Sequence, residues 1–198
     1  MRATATVLIL VLTAVLAAGA QAQTTYGLKG GLALTNLTGD NTDGLNSKTG
    51  FMIGGFAAIP IGESMAIQPE VFYVEKGTKF DEVLENGSEV EAKLKLNYID
   101  IPVLFKYTMA GESARPYFLA GPSIGFKTSA KIKVQDESAD FDYVKSTDFG
   151  LVFGLGVNFQ KFLIEGRYGL GLSNINDFPD DPDSIKNSAW NFLVGYTF

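Results

Sequence analysis

Large apolar side chains alternate with small or polar ones along most of this sequence. The clearest example is the C-terminal segment, where every second position holds one of five large apolar residues: Trp190, Phe192, Val194, Tyr196 and Phe198. Successive side chains of a β-strand point to opposite faces, so this period of two predicts strands with one apolar face. Beyond residue 22, no stretch longer than two helical turns keeps an apolar stripe free of glycine and proline. The pattern therefore predicts an all-β fold.

Eight segments of the chain carry this alternation. They cover residues 25–36, 48–60, 65–76, 92–108, 115–128, 147–159, 162–172 and 188–198. Short links alternate with links of about a dozen residues or more along the chain, as between the hairpins of an up-and-down barrel. Glycine is also frequent, at 22 of 198 residues, and small residues suit the narrow interior of an eight-stranded barrel. We predict an eight-stranded antiparallel up-and-down β-barrel.

The polarity of the two strand faces indicates what surrounds this barrel. One face is aromatic and aliphatic, and the other is small, polar or charged. A water-soluble barrel such as a lipocalin has an apolar interior, whereas a transmembrane barrel turns its apolar face to lipid. Outer-membrane barrels also have short periplasmic turns and long external loops. We therefore predict a transmembrane barrel with both termini in the periplasm; the alternative is a secreted sandwich or soluble barrel.

The first residues have the features of an export signal. Arg2 precedes an almost wholly apolar run at 7–16, and Ala20-Gln21-Ala22 is an A-x-A cleavage pattern. The apolar run is shorter than the roughly 20 residues that a membrane-spanning helix needs. We predict a signal peptide at 1–22, cleaved before Gln23, and one barrel domain at 23–198.

Composition excludes several classes of function. The chain contains no Cys and no His, which removes disulfide scaffolds, thiolate nucleophiles, Ser-His-Asp machinery and ordinary His-ligated metal sites. Its formal net charge of −6 argues against nucleic acid as a partner, because phosphate backbones need a basic surface. We expect no cofactor and no enzymatic activity, although Ser, Lys or carboxylate mechanisms do not require His.

Eight charged residues fall on the predicted inner face. They are Lys29, Glu70, Asp100, Lys106, Lys127, Asp148, Glu165 and Arg167. The set is balanced, and a buried charge without a partner costs several kcal/mol. We therefore expect a lumen charge network that plugs the barrel. The alternative is an ion path or a ligand site, although eight strands leave little room for an open pore.

Aromatic residues near the strand ends are expected at the lipid headgroups, where their amphipathic rings are favoured. The candidates for this aromatic girdle are Tyr26, Tyr107, Phe159 and Trp190, together with Tyr196 and Phe198 at the C terminus. The alternative is ordinary packing of these rings against a partner protein.

Two predicted external loops are rich in carboxylates. One contains Asp81, Glu82, Glu85 and Glu89, and the other contains Asp177, Asp180, Asp181 and Asp183. Ca²⁺ prefers oxygen ligands, but the spacing lacks the order of an EF-hand loop. We expect solvated loops and no metal site.

Several motifs resemble those of a known family. The segments are YIDIPVLFKY at 98–107, RPYFLAGPS at 115–123, DFG at 148–150, LGVNF at 155–159 and EGRYGLGLSNI at 165–175. They are similar to the corresponding strands of Bacteroidetes-type outer-membrane β-barrel proteins, the PorT-like family. The resemblance covers the whole mature chain and implies an eight-stranded outer-membrane barrel.

The resemblance also implies roles for individual residues. Asp100, Lys106, Glu165 and Arg167 match the family's inward charges. Tyr196 and Phe198 resemble the C-terminal aromatic signal that the barrel-assembly machinery reads. A few family members are components of a protein-secretion apparatus, and most have no assigned activity.

The sequence thus favours a structural or protein-interaction role, as a component of a secretion or envelope assembly. The expected partners are outer-membrane lipid, the barrel-assembly machinery during biogenesis, and an envelope protein. The alternatives are a small-molecule or ion conduit and a ligand-binding barrel.

Overall fold

The computed structural model describes residues 24–42, 44–83, 89–134, 137–179 and 181–198. The predicted signal peptide at 1–22 lies outside these residues. The described residues form nine strands: β1 (Thr25–Gly39), β2 (Asn46–Pro60), β3 (Met65–Val83), β4 (Glu89–Thr108), β5 (Ala114–Val134), β6 (Glu137–Asp140), β7 (Thr147–Phe159), β8 (Phe162–Gly171) and β9 (Ile185–Thr197). None of the described residues belongs to a helix long and apolar enough to cross a membrane.

Eight of these strands close into a barrel. All neighbouring strands are antiparallel, and the order is β4-β3-β2-β1-β9-β8-β7-β5, with β4 also paired to β5. The closing seam joins β1 to β9 from Gly27–Thr197 to Gly39–Ile185. The predicted eight-stranded antiparallel barrel is confirmed. The short strand β6 pairs with the far end of β5 and stands outside the barrel wall.

Several strands are longer than the alternation predicted. The largest differences are in β3, β4 and β5, which extend to Val83, back to Glu89 and on to Val134, all at the loop end of the barrel. Their extra residues pair with one another in antiparallel register. β1 and β2 are also longer than predicted, so only residues 40–45 lie between them, and only residues 84–88 lie between β3 and β4. The prediction failed there because the outward positions of these extensions are polar, as at Lys131 and Lys133 of β5, so they lack the outward apolar face on which it depended.

The polarity of the barrel is the reverse of that of a water-soluble barrel, with apolar side chains outside and charged ones inside. On the outside, large apolar side chains are exposed, among them Leu155 (70%), Ile164 (69%) and Val194 (63%). On the inside, charged side chains such as Glu165 and Arg167 are each only 1% exposed. Because the hydrophobic effect would drive the outer face out of water, this arrangement suits a lipid environment.

Apolar residues close the loop end of the interior. Val144 and Ile175, from the two long connections on either side of β7–β8, are 5% and 2% exposed and belong to the same buried cluster as Leu96 and Tyr98 of β4. An isolated bridge between Val144 and Asn176 holds these connections together. The loop end is thus capped, and the interior beneath it is polar.

Candidate functional site

Four charged side chains meet at the centre of the barrel, and we call them the central cluster: Lys29, Glu70, Glu165 and Arg167. Lys29 Nζ lies 2.9 Å from Glu70 Oε1 and 2.8 Å from Glu165 Oε2. Arg167 donates from Nη1 to Glu70 Oε2 at 2.7 Å and from Nε to Glu165 Oε1 at 2.6 Å. Each of the four side chains is at most 1% exposed. The cluster contains two cations and two anions, so its formal charge is zero.

The strand order makes this cluster a bridge across the lumen. Glu70 lies on β3 and Arg167 on β8, which are four strands apart around an eight-stranded wall. The contact between them therefore crosses the barrel. Lys29 on β1, between the two, contacts both carboxylates. The side chains occupy the width through which an ion would have to pass.

Neutral groups complete the hydrogen bonding of the two carboxylates. Gln68 donates from Nε2 to Glu70 Oε1 at 2.7 Å, and the Tyr117 hydroxyl donates to Glu165 Oε2 at 2.8 Å. Gly156 of β7 makes room for this tyrosine, because a Cβ there would lie 2.3 Å from Tyr117 Cζ. Charge-assisted hydrogen bonds of this kind are stronger than neutral ones. Local sequence, through an inward glycine, thus permits the packing of the cluster.

A second group of charges lies towards the loop end. Lys76 Nζ is 3.0 Å from Asp100 Oδ2 and 3.2 Å from Asp148 Oδ2. Asn187 also donates from Nδ2 to Asp148 Oδ2 at 2.9 Å. Sequence reasoning missed Lys76, although it lies six positions after Glu70 on the same strand and therefore shares its face. Counting the period of two further along β3 would have found it.

The remaining predicted lumen charges are placed differently. Lys106 lies over the Tyr117 ring, with Nζ 3.9 Å from the ring centroid. Lys127 donates from Nζ to the Val144 carbonyl, in the cap of the loop end. The eight predicted charges therefore do not form a single network. A lysine ammonium group can lie over an aromatic ring or donate to a carbonyl oxygen instead of pairing with a carboxylate. A partly buried pair that the prediction missed, Lys48 with Glu75, lies on β2 and β3.

Two cavities flank the central cluster. The smaller, of about 40 Å³, lies between the two charge groups and is lined by Lys76, Asp148 and Arg167 among others. The larger, of about 540 Å³, lies at the short-turn end and is lined by Lys106 and Arg115 among others. We call the larger cavity the vestibule. It opens at the end opposite the apolar cap, and its charged lining residues are the cations Lys106 and Arg115 and the carboxylate Glu63.

The predicted girdle residues fall at two levels of the outer face. Tyr107 stacks on Phe118 with ring centroids 5.2 Å apart, and the Tyr196 ring contacts those of Phe162 and Phe198, all close to the short turns. Tyr26 and Phe159 lie at this same end, because Tyr26 is the second residue of β1 and Phe159 is the last residue of β7.

Trp190 lies further up the wall and contacts Tyr168, with ring centroids 4.9 Å apart. Eight residues separate it from Phe198, which corresponds to roughly 20 Å along the barrel axis for strands tilted by about 40°. That height is close to the apolar band of about 25 Å expected of such barrels. The two aromatic levels thus bracket a band of membrane thickness.

The acidic loop at 172–184 is held by its own hydrogen bonds. Asp181 accepts from the backbone N–H of Asp183 and from Asn176 Nδ2, which hold the pKa of its carboxyl below the ordinary value. Asp183 in turn accepts from Asn41 Nδ2 at 2.6 Å. Among the described residues, no group of three or more carboxylates is placed to hold a metal ion. Asp180 and Glu85, which were also considered for Ca²⁺, lie outside the described residues.

Comparison with known proteins identifies the family. The family model described as "Outer membrane protein beta-barrel domain" matches residues 20–177. The chain belongs to this family. No functionally curated protein matches the sequence.

Solved structures show the same fold. Neisserial surface protein A is 16% identical, with a TM-score of 0.52 over 87% of this chain and 97% of that one. OprG from Pseudomonas aeruginosa is 13% identical, with a TM-score of 0.50 over 88% of this chain and 95% of that one. Ail of Yersinia pestis is 19% identical, with a TM-score of 0.46 over 88% and 99%. The family match, the closed fold and the apolar outer face together show that this chain is an integral outer-membrane β-barrel.

Proposed function

We propose that this chain is a non-conducting barrel with a structural or protein-interaction role in the envelope, as a component of a secretion or envelope assembly. The observation that carries this proposal is the central cluster. Its contact between Glu70 and Arg167 crosses the lumen, and its side chains are no more than 1% exposed. Opening a path would break buried ion pairs, which costs several kcal/mol.

The same observation supports a role without catalysis. A catalytic acid, base or nucleophile has to reach a substrate. Lys29, Glu70, Glu165 and Arg167 are instead occupied by one another inside the wall. The charges are arranged to hold the barrel together.

The vestibule suggests the end at which an envelope partner binds. The loop end is covered by Val144 and Ile175, whereas the vestibule at the short-turn end is open and holds about 540 Å³. We place the short turns and both termini in the periplasm, as in other outer-membrane barrels. A periplasmic partner with a negatively charged segment would meet Lys106 and Arg115 there.

The finer family assignment also belongs to this proposal. We infer membership of the PorT-like group from the motifs at 98–107 and 165–175, in which Asp100, Lys106, Glu165 and Arg167 carry the inward charges. We also assign Tyr196 and Phe198 as the signal for the barrel-assembly machinery.

Planar-bilayer recordings test the absence of conduction. The refolded wild-type chain should give no channel events, once a gel shift between unheated and boiled samples has shown that it is folded. The matched variant Glu70→Ala/Arg167→Ala removes one charge of each sign and opens the crossing, so it should give channel events that wild type lacks. Regular conductance steps from folded wild-type protein would favour the conduit alternative and overturn the proposal.

Site-specific crosslinking tests the interaction role. A photo-crosslinking amino acid at Glu112, in a short turn, should capture a reproducible envelope protein in the native host. The same amino acid at Lys145, in the long connection before β7, serves as the control and should not capture that protein. Capture from neither position, with the barrel folded and present at normal levels, would contradict the interaction role.

A further inference from the structure

The outer face of β4 changes its chemistry at a definite level. From Tyr107 up to Ile99, every second residue is apolar and lies at an outward position, although Ile101 is only 3% exposed. Beyond Ile99 the outward positions are Asn97, Lys95 and Lys93. The neighbouring strand β5 changes in the same way, from Phe126 to Lys131 and Lys133. The apolar part of β4 spans the nine residues 99–107, or roughly 20 Å of barrel height, close to the thickness of the apolar band. The lysines therefore begin where the hydrocarbon of the membrane ends.

Strand pairing gathers five lysines on this face, and we call them the lysine patch: Lys79, Lys93, Lys95, Lys131 and Lys133. Lys93 is directly opposite both Lys79 and Lys133, and Lys95 is opposite Lys131. Like charges directly opposite one another destabilise a sheet. The register thus keeps three unfavourable pairs on one surface, which is costly unless an anion covers them.

The acidic neighbours compensate only part of this charge. Glu91 lies 3.1 Å from Lys79 and 2.9 Å from Lys93, and Asp140 lies 3.7 Å from Lys131. Glu75 lies 3.7 Å from Lys95. The four lysines with measured pairs remain 31–52% exposed at their side chains. In these contacts the lysines share three carboxylates, so each ammonium group is only partly compensated, although the tip of the same hairpin also carries Asp81, Glu82 and Glu89.

A shallow depression gives the patch a shape. It measures about 190 Å³ and is lined by Glu91, Lys93, Lys95 and Lys133. Lysine binds phosphate as a mobile point charge, and several lysines around a depression can share one phosphate group. The long alkyl stems allow the ammonium groups to bend towards the headgroup layer below.

We propose that the lysine patch binds the phosphate groups of anionic lipids in the membrane leaflet at the loop end of the barrel. Two observations select lipid over a soluble anion. The patch is continuous with the lipid-facing surface of the same strands, and it extends from roughly 10 Å to roughly 15 Å above Ile99, at headgroup height. The barrel therefore selects its lipid on one side, around β3, β4 and β5.

The single tryptophan of the chain allows a test with an internal control. Trp190 lies on β9, four strands away from β4 and thus on the opposite side of the barrel. The double variant Ile99→Trp/Trp190→Phe moves the fluorophore beneath the lysine patch. Both proteins are refolded into phosphatidylcholine vesicles that contain either dibrominated phosphatidylglycerol or dibrominated phosphatidylcholine, and the quenching gives the relative affinity for the two lipids.

We expect phosphatidylglycerol to be favoured roughly three- to tenfold at position 99 and hardly at all at Trp190. Salt near 1 M should reduce the preference, since it shortens the screening length to about 3 Å. In the Ile99→Trp/Trp190→Phe protein, four further substitutions should abolish the preference for phosphatidylglycerol: Lys93→Gln, Lys95→Gln, Lys131→Gln and Lys133→Gln. The control pair Lys145→Gln/Lys186→Gln, at the loop end but outside the patch, should leave it unchanged.

Three results would overturn the proposal. One is an equal lipid preference at positions 99 and 190, and another is a preference that survives loss of the four lysines. The third is binding of soluble dextran sulfate to wild type, lost in the lysine variant, without any lipid preference; that result would assign the patch to a soluble polyanion. If the fourfold variant does not fold, Lys95→Gln/Lys131→Gln should still lower the preference.

Discussion

Loss of the Arg167 side chain should unbalance the interior of the barrel. The guanidinium contacts both Glu70 and Glu165 and packs on Phe72, with Cζ 5.3 Å from the ring centroid. In Arg167→Met the alkyl packing is largely kept, but two buried carboxylates are left with Lys29 as their cation. The variant therefore tests the charge of the cluster more than its volume.

The expected cost follows from this count of charges. Removing one partner of a buried ion pair costs about 3–5 kcal/mol, because the other charge stays desolvated. Arg167 serves two carboxylates, so we expect a loss at the upper end of that range. In Arg167→Met/Glu70→Gln one cation and one anion are removed together, and the remaining Lys29–Glu165 pair is neutral. The double variant should lie within about 2 kcal/mol of wild type, and thus be more stable than the single variant.

Urea titration of the refolded protein, followed by Trp190 fluorescence, measures these differences. Trp190 contacts Tyr168, the neighbour of Arg167 in the chain, so it reports on this part of the wall. Arg115→Met, at an exposed arginine near the short turns, is the control and should change stability by less than about 0.5 kcal/mol. The reasoning is refuted if Arg167→Met costs under about 1 kcal/mol, or if Glu70→Gln adds to the loss instead of reducing it.

Three further changes test other parts of the structure. Gly156→Ala should destabilise by about 1–3 kcal/mol through its clash with Tyr117, whereas Gly166→Ala, where a Cβ meets nothing within 4 Å, should have almost no effect in the same titration; equal effects would contradict the packing argument. Phe198→Ala should lower the amount of assembled barrel in the membrane more than the amount exported, measured by fractionation and heat-shift gels, and normal membrane levels would contradict the assembly signal. Hydrogen bonds lower the pKa of Asp181, so they stabilise its loop at pH values above the ordinary pKa, and this stabilisation is lost as the pH falls through the lowered pKa. Pepsin should therefore cut the loop faster only below about pH 4. Asp181→Asn should lack this pH dependence of cleavage, and millimolar Ca²⁺ should not change the cleavage rate.

The sequence predicted the barrel wall well because lipid imposes a strict alternation on it. Wherever a strand has lipid on one side and side chains on the other, apolar and small residues must alternate, and the bounds of β7 at 147–159 were predicted without error. Above the membrane that constraint disappears. The extensions of β3, β4 and β5 are polar on their outer face, so their apolar signal is weak and their ends were missed.

The interior was harder to predict, for two physical reasons. The period of two assigns residues to a face but does not choose their partners across the lumen, so Lys106 was grouped with carboxylates although it lies over Tyr117. A bulge in β5, opposite Asn97 and Tyr98, also reverses the parity of the strand. Lys127 consequently faces inward while Lys131 and Lys133, with numbers of the same parity, face outward. A bulge leaves no clear mark in the sequence.

The seam between β1 and β9 determines when folding can be completed. Its pairs join residues near the start of the barrel to residues near its end, such as Leu28 and Tyr196. An open sheet inside the bilayer would leave a row of N–H and C=O groups unsatisfied in hydrocarbon, at several kcal/mol each. Strands therefore gain little by entering the membrane one at a time as they emerge. Insertion and closure have to occur together and late, and such long-range pairing makes the reaction intrinsically slow.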